Sequence, residues 1–524
     1  MRVLRFLVFG ISQYYTINTF ASMTSSNTLV QKPLFSENDS MPNQRNSFQM
    51  PEQVHKADMR FREGLALKES GKRDEALEYF AEAVYIAPSN KEYHLALGQL
   101  EFEMGHLEEA AFCFEKLTLL DPVNSSFWLT LGFIRFQLER YSEAILPLSQ
   151  AVCIDASSPE ATFYLAESIR HIERFEESIP LYQKMLAVGI DRPQAVYGYS
   201  LSLLALGRLE EGWEAFEFRR VSKIGSWQQH LLPNWSGVAN KAQTVLAYSE
   251  EGIGADIMFS TCLPDLIESV GHCVIECDTA LHSIFARSFP TASLVPLSAP
   301  GTIVGENQED MKIDSQIALG SLPRYFRRNM SDFANRKPHL FADPEISGKW
   351  KNRLTERGVA KKVGFLWHGS WSGESEKQRT LPLDAFRPLI SKGKRMNGQN
   401  AGFCDWISLQ NGSQKSELNR IRTDWRIDMG AYPEVLPYND FDELAGLLSS
   451  LDLVISPPGY VANFAAALGI PTWLVLPFPR DWRWTLCEET AVWFPNMRIF
   501  RQKPVQTWPT LVAEIAAALD SFVH

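Results

Sequence analysis

From Ala57 onward, small and large residues recur with a period of 34 positions. In a frame that starts at Ala57, positions 8, 20, 24, 27 and 32 are Gly64, Ala76, Phe80, Ala83 and Pro88. One period later they are Gly98, Ala110, Phe114, Leu117 and Pro122. The third copy reads Gly132, Ala144, Leu148 and Ala151, and the fourth Ala166, Ser178, Tyr182 and Met185. The fifth reads Ser200, Gly212 and Phe216. Two small residues let a pair of helices approach closely, and the large one fills the gap between them. A proline stops the second helix. The register holds without an insertion and predicts about five helix pairs over residues 57–224.

This pattern resembles the tetratricopeptide repeat. The resemblance implies an α-solenoid with a concave groove for a peptide or partner protein. The plainer alternative is an array that only packs on the next domain. Ahead of it, residues 1–55 read as a flexible leader, since Ser22 to Gln53 is rich in Ser, Asn, Gln and Pro. Arg2 and Arg5 precede the apolar run Phe6 to Ile11, but Ser12-Gln13 interrupts it early, so no cleaved signal is expected.

Beyond the turn-rich linker Leu232 to Gly237, the pattern changes to short β-rich runs alternating with helical segments. Strands are expected at Thr244–Tyr248, Cys273–Cys277 and Ser293–Leu297, with helices at Asp256–Val270 and Ala280–Arg287 between them. A second unit has strands at Lys362–Trp367, Asp405–Leu409, Asp452–Ser456 and Thr472–Leu476. Its helices are expected at Leu383–Ser391, Phe441–Ser449, Val461–Leu468 and Trp508–Phe522. Such alternation implies parallel sheets with right-handed crossovers. The fold class is therefore α followed by α/β: a repeat solenoid, then two Rossmann-like domains over 240–340 and 358–524, joined near Phe341–Arg357. Ligands in such sheets sit beyond the carboxyl ends of the strands.

Composition narrows the chemistry. Net charge is −11, so non-specific binding to nucleic acid is not expected. Seven widely spaced cysteines without a C-x-x-C pair argue against a disulfide framework or zinc ribbon and fit a reducing, cytoplasmic setting. No run of 18 apolar residues is present, so no transmembrane segment is expected.

Four segments carry candidate chemistry. The turn Gly252-Ile253-Gly254-Ala255-Asp256 allows close backbone approach to an anion, and Asp256 is a candidate general base or merely a charge in a first helical turn. A third glycine is missing, which argues against a nicotinamide cofactor. Trp367-His368-Gly369-Ser370-Trp371-Ser372-Gly373 follows a strand, and His368 is the second candidate base. Arg379 is suited to hold a phosphate. Asp440-Phe441-Asp442 looks like a metal-binding Asp-x-Asp pair, but Glu443 follows Asp440 at the spacing of a capping box, so no metal site is expected. The stretch from Ser456 to Trp473 places Gly459, Tyr460 and Val461 at the start of a small-residue helix, whose free N–H groups suit a pyrophosphate.

Leu453–Ser456 and Ala465-Ala466-Ala467-Leu468-Gly469-Ile470-Pro471-Thr472-Trp473 resemble the donor-site signature of glycosyltransferase family nine, the heptosyltransferase-like group. Residues 57–524 as a whole resemble bacterial tetratricopeptide-repeat proteins with that domain at the C-terminus. Supporting segments are Glu250–Gly254, Val363–Trp367, Ile407–Gln410, Asp481–Trp484 and Arg498–Gln502. The resemblance implies a GT-B fold, with an inverting, metal-independent transfer from a nucleotide sugar to a protein or surface-glycan acceptor. No cofactor is implied, because the nucleotide sugar is a substrate. Donor contacts are implied at Gly252, Gly254, Arg379, Gln410, Ser456, Gly459, Tyr460, Val461 and Asn463. The chain departs from the family at Ala255, where Asp is usual, and at Pro458, Gly459 and Asn463, where Asp-Thr and a later His are usual. These departures keep a second reading open: a repeat scaffold for protein–protein interaction that carries an inactive GT-B domain.

Overall fold

The structure is a computed structural model, and it describes residues 49–189, 193–220, 232–297, 312–334, 336–358, 360–369, 380–393, 404–410, 415–435, 440–478, 481–504 and 506–523. The chain divides into two compact units, Met1–Ile169 and Arg170–His524. Most of the leader expected at 1–55 lies outside the described residues; within that stretch the chain is already helical from Gln49.

Five helix pairs follow in register: Gln49–Glu69 with Arg73–Ile86, Lys91–Met104 with Leu107–Leu120, Ser125–Gln137 with Tyr141–Ile154, Pro159–His171 with Phe175–Ala187, and Pro193–Ala205 with Leu209–Phe216. The frame explains the packing inside a pair. A Cβ added to Gly64 would lie 2.7 Å from the Phe80 ring, and one added to Gly132 would lie 2.5 Å from Leu148 Cγ. Position 8 is small because position 24 occupies its space. Gly132→Ala should therefore lower stability by about 1–3 kcal/mol, despite alanine's better helix propensity. Thermal melts followed at 222 nm check this, and a variant as stable as the wild type would refute the packing argument.

The first unit has small cores. One gathers Ala76, Phe80, Leu97, Leu100 and Cys113, and another Ala110, Phe114, Leu117, Phe127, Leu131 and Ile134. On the first-helix side an aromatic row crosses the array. Phe102 and Phe133 have ring centroids 6.0 Å apart, Phe133 and Tyr164 4.8 Å, and Phe136 and Tyr164 5.3 Å.

In the second unit the last repeat is welded to the α/β region. Trp213 donates its indole N–H to the Arg327 carbonyl at 2.9 Å, and its ring meets Trp482 at 5.6 Å and Trp493 at 6.2 Å. Thr485 Oγ1 donates to the Ala205 carbonyl at 2.9 Å. This shared core explains why the boundary between compact units falls inside the repeat array and not at the linker. The linker itself is partly structured: Trp235 is buried, and its backbone N–H donates to the Gln316 carbonyl at 2.7 Å.

The α/β region holds two all-parallel sheets. The first contains β1 (Asn240–Tyr248), β2 (Val270–Cys277), β3 (Ser293–Pro296) and β4 (Ser315–Ala318), in the order β3-β2-β1-β4. The second contains β5 (Lys361–Phe365), β6 (Cys404–Ser408), β7 (Gly430–Ala431), β8 (Leu453–Ser456), β9 (Thr472–Leu476) and β10 (Met497–Arg501), in the order β10-β9-β8-β5-β6-β7. Read outward from β5, this is the doubly wound arrangement with the strand order reversing between β5 and β8. In the first sheet the reversal lies between β1 and β4.

Several expectations need correction. The stretch Phe341–Arg357, read as a joint, carries the helix Pro344–Thr355. Asp343 caps it by accepting from the N–H groups of Glu345 and Ile346, and its Trp350 donates to Glu443 Oε2 at 2.6 Å. The helix expected at Asp256–Val270 is two α-helical segments, Ile253–Phe259 and Leu263–Ser269, joined by a 3-10 turn. Pro264 stands at the start of the second, where its missing N–H is harmless. Strand β4, which carries the reversal of the first sheet, is an addition to the expected strands. Among the described residues no helix is long and apolar enough to cross a membrane.

Candidate functional site

Both reversal points lie at the carboxyl ends of the strands, where doubly wound sheets generally bind their ligands. After β5 the chain runs through Trp367 and His368. Gln410, just past β6, clamps this turn: its Oε1 accepts from His368 N at 3.0 Å and from Trp367 N at 3.3 Å. Gln410 is thus engaged with backbone and positions the loop. The imidazole Nε2 of His368 lies 3.1 Å from Glu417 Oε2, and the same carboxylate oxygen accepts from the Trp367 indole at 2.6 Å. Thr380 Oγ1 stands 3.4 Å from His368 Nδ1. His368 keeps 23% of its side chain exposed, so its ring can be reached from solvent. Glu417 sits 49 residues away in sequence on the helix Lys415–Thr423, and no spacing signal links it to His368. Arg379 and Ser370 to Gly373 lie outside the described residues.

Next to β5, strand β8 ends at Ser456, which is buried and whose hydroxyl donates to the Pro457 carbonyl at 2.8 Å. Gly459 follows in an extended conformation, with nothing within 4 Å of the position a Cβ would take. The helix Tyr460–Ala467 then begins. Every side chain on it is buried, because Ala462 and Ala465 to Ala467 let it lie close to the sheet. Tyr460 packs its ring against Phe441, 5.9 Å between centroids.

At the first sheet, Gly252 adopts φ +87°, a left-handed conformation that disfavours a side chain. Its carbonyl accepts from the N–H groups of Ala255 and Asp256, both at 3.0 Å, which starts the helix Ile253–Phe259. That helix abuts Tyr460–Ala467. Asn463 Nδ2 donates to the Gly254 carbonyl at 2.9 Å, and a Cβ on Gly254 would touch the Tyr460 backbone at 3.5 Å. The glycine turn of the first sheet and the helix start of the second therefore meet. Asn463 Oδ1 is buried and has no hydrogen-bond partner among the described residues.

Asp256, the first candidate base, is only 1% exposed. Burial pushes its carboxyl up to about 8; the Ser249 hydroxyl, donating at 2.5 Å, opposes this, and the nearby Glu250, Glu251 and Asp278 add to it. A carboxyl held protonated near neutral pH and sealed from solvent is poorly suited to collect a proton from an acceptor. Glu250, beside it, is gripped by Arg219 from the end of the repeats. Glu250 Oε1 accepts from Arg219 Nη2 at 2.5 Å and Nε at 3.1 Å, and Arg219 also donates to Ser321 Oγ at 2.8 Å. Glu251 pairs with Arg483 at 2.8 Å. Two loops that follow first-sheet strands are thus tied to residues from other elements.

Asp440 caps the helix Phe441–Ser449 by accepting from Glu443 N at 2.9 Å, and Asp442 pairs with Arg287 at 2.9 Å. The two carboxylates serve separate structural contacts.

Comparison with known proteins finds one family match within the repeats. Residues 67–131 match the tetratricopeptide-repeat family. Over 327 residues, 60% of this chain and 52% of the relative, the chain is 25% identical to Protein FlbA of Caulobacter vibrioides. It spans about half the length of that curated relative. Among solved structures, MamA is 19% identical, with coverage of 32% of this chain and 92% of MamA and a TM-score of 0.30. YrrB, described as a TPR protein with an unusual peptide-binding site, is 16% identical, with coverage of 34% and 94% and a TM-score of 0.30. The chain is thus an N-terminal array of TPR-like helix pairs, matching the repeat family over residues 67–131, followed by two parallel sheets with helices.

Proposed function

We propose that the α/β region is a glycosyltransferase of the GT-B kind, using a nucleotide sugar, and that the repeats recruit its protein or surface-glycan acceptor. The observation that carries this reading is the contact between the glycine turn after β1 and the helix start after β8, one from each parallel sheet, made by Asn463 and Gly254. The donor diphosphate lies at the start of the helix Tyr460–Ala467, where the first backbone N–H groups have no partner within the helix and open space surrounds Gly459. The acceptor hydroxyl attacks the anomeric carbon, and the carbon–oxygen bond to the diphosphate breaks with its electron pair going to the nucleotide. His368, oriented by Glu417, takes the hydroxyl proton. This replaces Asp256 as the leading base, on the strength of burial. Phe102, Phe136 and Tyr164, each half-buried on a first helix, give the repeats an aromatic surface suited to apolar side chains of an acceptor or partner.

The scaffold reading draws on one observation: Asn463, at a position where the family carries His, has its amide N–H committed to Gly254. A panel of UDP, GDP, ADP and CMP sugars decides between the two. A matching donor at about 100 times its Kd should add about 2.7 kcal/mol of stability. The rise should survive EDTA, since Asp440 and Asp442 are engaged in a cap and an ion pair. Gly459→Val should weaken donor binding about tenfold or more while leaving the fold intact, because the space it enters is empty. His368→Ala should leave donor binding unchanged and abolish transfer. If no donor shifts the melt, the scaffold reading stands.

A further inference from the structure

The second helices of the repeats carry an apolar ladder with the period of the array. Tyr85, Leu119 and Cys153 occupy one frame position in three successive copies, and Phe112 and Leu146 occupy another. They stand on Arg73–Ile86, Leu107–Leu120 and Tyr141–Ile154. All face solvent: Tyr85 is 87% exposed, Leu119 69%, Leu146 63% and Phe112 59%, and Cys153 is exposed too. Phe112 and Leu119 are seven residues apart, as are Leu146 and Cys153, so each pair shares one helix face. Single exposed apolar residues are ordinary, but these recur at the same two frame positions in successive copies. These rungs lie on second helices, whereas the aromatic row of Phe102, Phe133 and Tyr164 lies on first helices.

Charge says what covers it. Glu109 and Glu143 stand three residues before Phe112 and Leu146, and Glu78 takes the place of Phe112 in the preceding copy. Asp74, Glu78, Glu109 and Glu143 have no ion-pair partner among the described residues, while Glu82 pairs with Arg60 and Glu115 with Arg135. Lys116, 5.2 Å from the centre of the Phe112 ring, is the cation nearest the rungs on that helix. Residues 49–169 contain 20 Asp and Glu against 10 Lys and Arg, so two copies of this face would repel one another. We propose that the second-helix face of the repeats docks a basic amphipathic segment of a partner protein, its apolar side chains on the Tyr85–Leu119 and Phe112–Leu146 rungs and its Lys or Arg residues on the flanking carboxylates. This interface is independent of the glycosyl-transfer reading.

The test uses the full chain and a fluorescent synthetic helix built from Leu and Lys in an amphipathic pattern, with a Leu/Glu helix of the same pattern as control. The Leu/Lys helix should bind, and its affinity should fall as salt rises from about 50 to about 300 mM, because the flanking pairs are exposed. The double variant Phe112→Ser/Leu119→Ser and the double variant Glu109→Gln/Glu143→Gln should each weaken binding at least about tenfold, a loss of about 1.4 kcal/mol. Circular dichroism checks that both remain helical. Equal binding by the Phe112→Ser/Leu119→Ser variant overturns the site, and equal binding of the Leu/Glu helix overturns the charge argument. Sedimentation showing a wild-type dimer that this variant dissolves would assign the face to a second copy and refute the basic partner.

Discussion

Arg219→Ala should lower the stability of the second unit by about 3–5 kcal/mol, because it leaves the buried Glu250 carboxylate without its counter-charge. Both side chains are only 1% exposed, and the guanidinium makes two contacts to one carboxylate oxygen. Burial raises the Glu250 pKa and Arg219 opposes that rise, so removing the arginine lets the desolvation cost act in full. The site has little room to relax: a Cβ on Gly320 would come within 2.2 Å of Glu250 Oε1. Arg219→Met combined with Glu250→Leu should recover much of the loss, since an apolar pair needs no partner. Urea unfolding followed by tryptophan fluorescence measures all three proteins. A single-variant loss below about 1 kcal/mol would mean that water enters and solvates Glu250.

The second large effect is a pH dependence carried by Asp256. Its folded pKa of about 8 lies above the ordinary carboxylate value of 3.8, so between those pH values the folded state holds a proton that the unfolded chain releases. Stability must therefore fall as pH rises through that window, by at most about 1.4 kcal/mol per pH unit. Asp256→Asn removes the titration while keeping an oxygen for the Ser249 hydroxyl at the same place. The variant should match the wild type near pH 4 and exceed its melting temperature by several degrees near pH 8. Parallel slopes of melting temperature against pH in the two proteins would show that Asp256 is ionised throughout.

Much of the fold was legible because its signals are local. Position 8 and position 24 of the repeat, as in Gly64 with Phe80 and Gly132 with Leu148, touch within one helix pair, so a single sequence records both partners. Strand β9 and the helix Phe441–Ser449 begin and end where the apolar runs do. The helix Pro344–Thr355 escaped notice although Asp343 and Pro344 mark its start, because only Trp350 and Leu354 on it are buried and its apolar face is narrow.

The candidate site was legible only in part. Gly252 and Gly459 could be placed on loops after strands, since turn residues declare themselves. Their surroundings could not. Glu417 beside His368, Arg219 against Glu250 and Asn463 against Gly254 join residues separated by 49, 31 and 209 positions. The pKa of Asp256 depends on burial, which no spacing encodes.

By itself, then, the amino-acid sequence determined the 34-residue register, the alternation that builds parallel sheets, and which loops end at strand termini, because each is set by side chains a few residues or one period apart. Only the tertiary structure decided that the last repeat belongs to the core of the α/β region, that the loop after β1 and the helix after β8 touch, and that His368 and not Asp256 is open to solvent. Those outcomes depend on desolvation and on contacts between distant segments, and both arise only once the chain has closed on itself.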